Sequence, residues 1–257
     1  MRLFDTHAHY YADQYDPDRD GRLAALPGEG VTHIVCPGCD LKSSRASRDL
    51  AEKYPYVYFA AGIHPEDLEH AGLEDLEEVR ALCQHPKCVA VGEIGLDYYW
   101  VKTKEERARS RDFFARQLEL AQELNLPAIV HDRDAHRDVL DIVKAHPGVR
   151  GVFHCCAFNV PDALTAVDMG WMISITGNVT FETARRVPEV VAAVPLERLM
   201  IETDAPYQTP EPHRGERNDS SLVRLVAEKI AQIKGLTVEE VAEATYQNAL
   251  AFFGIRE

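Results

Sequence analysis

The chain has 257 residues, of which 46% are hydrophobic and 27% are charged. These fractions are ordinary for a globular protein, so the composition excludes a disordered chain and a membrane-spanning one. The formal net charge of −14 argues against a protein that grips duplex DNA with a broad basic face. An anionic substrate would therefore need local help, such as bound metal ions or a few Arg and Lys side chains. We expect a single domain spanning residues 1–257, because no linker or low-complexity tract divides the sequence.

The amino-terminal residues and the cysteines both indicate a reducing compartment. The segment MRLFDTHAHY contains no basic region followed by a long hydrophobic stretch, which predicts a cytoplasmic protein without a secretory signal. Cys36 and Cys39 form a CxxC pair with no second pair at zinc-ribbon spacing. The six cysteines are therefore expected to be reduced, packed thiols.

Eight short apolar runs, rich in β-branched residues and ending in polar ones, predict eight strands. They cover residues 3–9, 32–38, 57–65, 89–97, 127–134, 151–158, 171–177 and 199–206. Segments with helical periodicity lie between several of them, at 73–84, 104–126 and 135–146, and two further helices are expected at 220–234 and 237–253. This alternation predicts right-handed βαβ units and a parallel sheet in an α/β fold.

The reactive residues favour a closed barrel over an open sheet. They stand at the carboxyl ends of the predicted strands, where the active sites of TIM barrels are built. An open sheet would separate the first and last strands, whereas closure brings all the ends around one mouth. The sequence therefore predicts a TIM (β/α)8 barrel. The residues concerned are His7, His9, His64, Glu93, His131, His154 and Asp204.

His7 and His9 are two residues apart on a predicted strand, so their side chains should point to the same face and could hold one metal ion. A hydrogen-bonded pair of histidines without a metal is the alternative. Asp5 favours the metal, since it is expected one step deeper on that face, where it could accept the other N–H of a ligating imidazole.

Glu93 follows an apolar run and is flanked by Gly92 and Gly95, which we expect to leave backbone room near a bound group. A buried carboxylate at this place needs a cation. His131 and His154 end the next two runs, and either alone would more often be a core histidine. Together beside Glu93 they indicate a metal site.

Asp204 adds a hard oxygen ligand. Glu202, two residues earlier, should face the same way but lie deeper in the barrel, where it would contact a metal ligand and not the metal itself. Six ligands are too many for one catalytic ion that keeps positions for water, so two divalent ions (Zn, Mg, Mn or Co) bridged by Glu93 are predicted. The first would be held by His7, His9, Glu93 and Asp204, and the second by Glu93, His131 and His154.

Six ordered motifs resemble the TatD family of metal-dependent hydrolases, often described as deoxyribonucleases, from Asp5 to Asn248. They are DTHAH at 5–9, GIHPE at 62–66, GEIGLDYY at 92–99, the histidines in IVHDRD and FHC, and ETDAPY at 202–207. The resemblance implies a metal-dependent hydrolase barrel of the amidohydrolase type, divalent metals on the residues named above, and phosphodiester hydrolysis. One departure is Cys155–Cys156–Ala157–Phe158, where the family usually has Cys, an aromatic residue, Ser and Gly, and it alters the expected substrate geometry there.

The working hypothesis is a TatD-type deoxyribonuclease or 3′-5′ exonuclease in which metal-activated water attacks the phosphodiester. Glu93, Asp204 and His64 are the expected catalytic residues, with His64 near the leaving or a non-bridging oxygen. The alternative for His64 is that it only supports a metal ligand and does not contact the substrate. Single-stranded DNA ends are the expected partner, without a membrane or an obligate protein partner. Arg133, Arg214 and Arg217, with Lys102 and Lys104, are candidate phosphate contacts.

Two alternatives stay open from the sequence. The same barrel could hydrolyse an ester or amide, for example as an aminoacyl-tRNA deacylase, because water activated in the same way could attack a carbonyl. Many amidohydrolases carry a carboxylated lysine where this chain has Glu93, which favours the phosphodiesterase. A degenerate binding protein is the other alternative, but it predicts a lost ligand, and all six are present.

Overall fold

A computed structural model describes residues 1–69 and 71–256. Its eight strands form one parallel sheet in the order β1 to β8, with the helices between them, so the predicted α/β barrel is confirmed. The strands are β1 Leu3–Asp5, β2 Val31–Pro37, β3 Val57–Ala61, β4 Cys88–Asp97, β5 Ala128–Arg133, β6 Gly151–Phe153, β7 Met172–Ile175 and β8 Leu199–Ile201. The helices are α1 Arg19–Ala25, α2 Leu41–Lys53, α3 Leu73–Leu82, α4 Lys104–Leu124, α5 His136–Ala145, α6 Val160–Asp168, α7 Arg186–Ala193, α8 Val223–Lys234 and α9 Val238–Phe253.

The ends of α4 illustrate how local sequence sets the helix bounds. Thr103 caps the helix by accepting the backbone N–H of Glu106, whose side chain in turn accepts the N–H of Thr103. The helix ends two residues earlier than predicted because Asn125 adopts a left-handed conformation with φ of 54°. Among the described residues, no helix has the length and apolar character needed to cross a bilayer.

Every strand contributes at least one residue to a common apolar cluster, which fills the barrel interior. These residues are Phe4, Val35, Ala60, Ala90, Ile129, Val152, Met172 and Met200, and β4 also contributes Val89. Residues of α9, among them Phe252 and Phe253, complete this cluster. The Asn248 amide donates to the Leu199 carbonyl, and the Arg150 guanidinium donates to the Phe252 carbonyl. Helix α9 therefore covers the amino ends of β6 and β8, and the carboxyl ends face the opposite way.

The barrel closes through the segments that follow β1 and β8 rather than through the strands themselves. Both strands end earlier than predicted, at Asp5 and Ile201. Beyond them, the Asp204 N–H donates to the His7 carbonyl at 2.9 Å, and the His9 N–H donates to the Ala205 carbonyl at 2.7 Å. The backbone of three predicted metal ligands thus forms the closing seam.

The position of Phe253 predicts a large loss of stability on truncation. We expect Phe253→Ala to lower the free energy of unfolding by about 3–5 kcal/mol, because it opens a cavity in the barrel floor. Urea denaturation followed by circular dichroism measures the change. Leu236→Ala, at a leucine that is 38% exposed, is the matched control and should cost less than about 0.5 kcal/mol. Equal stability of the two variants would contradict this packing role for α9.

Candidate active site

The Glu93 carboxylate on β4 lies between two groups of imidazoles. Its Oε2 is 3.2 Å from Nε2 of His7. Its Oε1 is 2.8 Å from Nε2 of His154 and 3.1 Å from Nδ1 of His131. Since Glu93 is only 3% exposed, water does little to solvate this charge, and the two oxygens each face a different set of nitrogen atoms.

The first group joins His7, His9 and Asp204. The Nε2 atoms of the two histidines are 3.1 Å apart, and Asp204 Oδ1 lies 3.2 Å from Nε2 of His9 and 3.9 Å from Nε2 of His7. Asp204 has a φ of 56°, a left-handed conformation that aspartate tolerates better than most residues, and this turn aims its carboxylate at the histidines.

The second group joins His131 and His154, whose Nδ1 and Nε2 atoms are 3.2 Å apart. The remaining nitrogen of each ring faces a carboxylate: His131 Nε2 is 3.0 Å from Asp97 Oδ2, and His154 Nδ1 is 3.4 Å from Glu202 Oε1. Metal-binding histidines usually carry such an outer carboxylate. Glu202 thus lies where the sequence predicted, whereas Asp97 was missed. Asp97 is four residues after Glu93 on β4, and side chains at this spacing on a strand point to the same face. That spacing was the signal that could have found it.

The structure corrects the predicted role of Asp5. Its carboxylate accepts the Thr203 N–H at 2.9 Å, the Thr203 hydroxyl at 2.5 Å and the His7 backbone N–H at 3.3 Å, rather than an imidazole N–H. The prediction was wrong because β1 ends at Asp5, so strand alternation does not extend to His7. Asp5 instead ties the two closing segments together. Burial raises its pKa to about 7, against the opposing effect of its hydrogen bonds.

The glycines beside Glu93 also serve a different purpose from the one expected. A Cβ on Gly92 would lie 2.7 Å from the Ile129 Cβ, and one on Gly95, whose φ is 141°, would lie 2.0 Å from the His131 carbonyl oxygen. The space that they leave is taken by β5, not by a bound group. Close contact between β4 and β5 places His131 against Glu93.

His64 faces the same carboxylate as a hydrogen-bond donor. Its Nδ1 accepts the backbone N–H of Glu66 at 3.2 Å, which assigns the proton of the neutral ring to Nε2. That Nε2 lies 3.5 Å from Glu93 Oε1. Burial, with the nearby His131, lowers the pKa of His64, so the ring stays neutral at pH 7. A protonated Nε2 suits hydrogen bonding better than metal binding.

The electrostatics of the cluster show that it needs positive charge. Burial by itself would raise the pKa of Glu93, but the surrounding histidines, above all His154, outweigh it and hold that pKa well below its usual range. Burial likewise opposes the charge on His131, yet the hydrogen bonds to Asp97 and Glu93 raise its pKa to about 9. Protons thus compensate the carboxylates where no cation is bound. The converging nitrogen and oxygen atoms fit divalent metal ions that prefer such ligands.

The cluster forms the floor of a cleft of about 980 Å³. Of the predicted phosphate contacts, Arg133 lines this cleft, and Lys42 at the start of α2 joins it unpredicted. Arg217 instead pairs with Asp18 at 2.7 Å. The Arg214 guanidinium lies 3.7 Å from the centre of the Phe181 ring. Neither of the last two arginines is among the described residues that line the cleft.

The unusual segment after β6 divides between the cleft and the core. Cys155 lines the cleft, with its sulfur 3.5 Å from the Thr176 hydroxyl, and its backbone N–H donates to Glu202 at 2.6 Å. Phe158 packs on Phe153 with ring centres 4.7 Å apart. The bulky residue is thus accommodated in the core and leaves His154 in place.

Comparison with known proteins gives consistent matches over the full chain. A family model described as TatD related DNase matches residues 4–254. The uncharacterized metal-dependent hydrolase YabD of Bacillus subtilis is 42% identical over 98% of this chain and 99% of its own. The 3′-5′ ssDNA/RNA exonuclease TatD of Escherichia fergusonii is 33% identical over 98% of this chain and 99% of its own. The crystal structure of YjjV, a TatD homolog from Escherichia coli K12, matches with a TM-score of 0.92 at 28% identity, covering 99% of both chains.

The pKa of about 9 at His131 predicts pH-dependent metal affinity. Below that pH the ring carries a proton that a metal must displace, so His131 should contribute about a tenfold rise in affinity per pH unit that levels off near pH 9. This contribution adds to that of His154, whose pKa is also raised against the opposing effect of burial, chiefly by the charge of Glu93. Isothermal titration calorimetry in buffers of different ionisation enthalpy counts the protons released. Asp97→Asn removes a group that raises the pKa of His131 and should shift the levelling-off to lower pH. Affinity that stays constant over this interval would contradict the assignment.

Proposed function

Because the chain belongs to the TatD-related DNase family, we propose that it is a hydrolase that uses two divalent metal ions to cleave phosphodiester bonds at the ends of single-stranded nucleic acid. The observation that carries the proposal is the position of Glu93, whose two oxygens face two separate sets of imidazoles. The exonuclease name of the Escherichia fergusonii relative supports the choice of substrate.

Two sets of side chains would hold the ions, with Glu93 belonging to both. By their distances to the Glu93 and Asp204 carboxylates, the first set would consist of His7, His9, Glu93 and Asp204, and the second of Glu93, His131 and His154. When bound, a pair of divalent ions lowers the pKa of water and stabilises the attacking and leaving oxygens of a displacement. Imidazole and carboxylate ligands suit Zn, Mn, Co or Mg.

Asp204 is the carboxylate best placed to accept a proton from the attacking water. Its side chain is 13% exposed, against 4% for Glu93, so it is more accessible from the cleft. Burial opposes its charge, but the hydrogen bond with His9 and the charges of the histidines lower its pKa, so it is ionised at pH 7. In this role Asp204 both holds the cation and takes up the proton.

His64 orients the phosphate rather than protonating the leaving group. Its neutral ring carries a proton on Nε2, beside Glu93 Oε1, and a donor there can hydrogen-bond a non-bridging phosphate oxygen. A neutral imidazole that gave up this proton would become an imidazolate, which is unfavourable at pH 7. Of the two oxygens that the sequence suggested as partners of His64, the non-bridging one is therefore the better supported.

Glu93→Gln tests the central role of this carboxylate. We expect the cleavage rate on a short single-stranded oligonucleotide to fall by more than about 100-fold, because Gln cannot supply two anionic oxygens. Loss of a residue that only supports a metal ligand typically costs up to about 100-fold. Product analysis by gel and metal content by mass spectrometry give the readouts. Glu216→Gln, on the loop after β8, is the matched control, since its side chain is 68% exposed.

Two outcomes would contradict the proposal. Wild-type turnover in Glu93→Gln with full metal content would remove the bridge assignment. Hydrolysis of an aminoacyl-tRNA ester, with the oligonucleotide left intact by the same metal-loaded wild-type protein, would favour a carbonyl ester as the substrate.

Arg133→Gln tests the phosphate contact. We expect a higher KM. The slope of log affinity against log salt concentration should become less negative by about 0.7, the value for one phosphate contact on a single strand. Steady-state kinetics over a range of salt concentrations measures both. Arg224→Gln, an exposed arginine on α8 paired with Glu228, is the control and should change neither. An unchanged salt dependence in Arg133→Gln would contradict a phosphate contact at this residue.

A further inference from the structure

Three aromatic side chains are unusually open to solvent. Among the described Phe, Tyr and Trp residues, the three most exposed are Tyr99, Trp100 and Tyr207. Their exposed fractions are 43%, 58% and 53%. Trp100 and Tyr207 line the cleft above the Glu93 cluster, and Tyr99 contacts Trp100 edge-on with ring centres 4.8 Å apart. Exposed aromatic surface concentrated at one site indicates an interaction surface.

These aromatic side chains stand on two walls of the cleft. Trp100 follows β4, whereas Tyr207 follows β8. Because these strands are four apart in an eight-stranded barrel, the residues beyond them lie on opposite sides of its mouth. The Tyr207 ring is 6.2 Å from the His9 ring, which places it beside the first group of ligands.

Both walls are tied to the cluster by hydrogen bonds. Asp97 Oδ1 accepts the backbone N–H groups of Tyr99 and Trp100, each at 2.8 Å, while its Oδ2 meets His131. On the other wall, the Tyr207 N–H donates to the Asp204 carbonyl at 2.9 Å. The backbone from which these aromatic side chains extend is therefore held at defined positions relative to the residues around the proposed reaction site.

The charge of the cleft leaves a role for uncharged contacts. Its lining includes the cationic side chains Lys42 and Arg133, against the carboxylates Asp13, Asp40, Glu66, Asp67, Glu93, Asp132 and Asp204. Two cations can account for a salt slope of only about −1.4 on a single strand. Even with metal bound at the floor, phosphate attraction beyond the reacting linkage is weak here. Base–aromatic stacking does not depend on charge and suits every base.

We propose that Trp100 and Tyr207 are stacking platforms for the two bases on either side of the scissile phosphate. The inference rests on the proposed function and specifies its substrate as unpaired nucleotides. Paired bases in a duplex have their faces covered by neighbouring pairs, so these platforms favour frayed or single-stranded ends. The Arg133 guanidinium, 3.9 Å from the Tyr99 ring centre, covers one face of that ring and leaves Trp100 as the more open one.

Tryptophan fluorescence tests the proposal directly, because the chain contains two tryptophans and the other, Trp171, is 2% exposed. The metal-loaded wild-type protein is titrated with a short oligothymidylate whose 3′ linkages are phosphorothioates, which slow cleavage. We expect quenching and a shift of the Trp100 emission. An oligonucleotide with abasic sites at its last two positions loses both stacked bases, so it should bind about 25- to 20,000-fold more weakly and quench little.

The variants separate the two walls. Trp100→Ala and Tyr207→Ala should each weaken binding of the normal strand about 5- to 150-fold, measured by fluorescence anisotropy of a labelled strand. Each variant should also lose its sensitivity to an abasic site at one of the two positions. That position should differ between the two variants, because each aromatic side chain stacks on a different base. Leu164→Ala, at a leucine on α6 that is 36% exposed, is the control and should bind like wild type.

Failure of this inference differs from failure of the proposed function. Cleavage of the unmodified strand, together with unchanged Trp100 emission and equal affinity for the abasic strand, would overturn the stacking platforms and leave the phosphodiesterase in place. A second outcome would also overturn stacking. In it, an abasic site at either position weakens binding to both Trp100→Ala and Tyr207→Ala as much as it weakens binding to the wild-type protein. Lack of cleavage of any oligonucleotide by the metal-loaded protein would instead contradict the function itself.

Discussion

The Glu93 carboxylate is a buried negative charge between two sets of imidazole rings, and much of the site is arranged around it. An ionised carboxylate loses most of its solvation at 3% exposure, and this cost must be offset by cations or by protonated partners. The imidazoles provide such partners, and in the proposed function they would become metal ligands when deprotonated. Asp97 holds the outer nitrogen of His131 by a hydrogen bond, and Glu202 lies 3.4 Å from the outer nitrogen of His154, while the inner nitrogens face Glu93.

Folding and assembly of the site are coupled at the closing seam. The hydrogen bonds between the segments after β1 and β8 complete the barrel, and they also bring His7 and His9 next to Asp204. Asp5 strengthens this junction through Thr203 and the His7 backbone. A barrel that closes through these segments cannot form that junction without also bringing the side chains of His7, His9 and Asp204 together.

The sequence predicted the barrel and the membership of the cluster because both follow from simple geometry. Carboxyl ends of parallel strands meet at one mouth, so polar residues at those ends must converge. The contacts of individual side chains around the cluster could not be predicted in this way, because they involve residues that are distant in sequence. Alternation failed at Asp5 because the strand stops there, and the space beside Gly95 belongs to the His131 backbone of β5. Arg217 was expected at the substrate because it lies on a mouth-side loop, but Asp18, distant in sequence, pairs with it.

The net charge of −14 fits recognition that relies little on a basic surface. A protein that binds long duplexes gains affinity from many phosphate contacts and becomes strongly salt-dependent. Here the positive charge would be concentrated at the floor of the cleft, where bound cations would balance the buried carboxylates. In the proposed function, a phosphate that reaches this floor would be attracted strongly, and a flexible strand with unpaired bases could place one there between Trp100 and Tyr207. The acidic surface would then disfavour extended duplex and favour chain ends as the substrate.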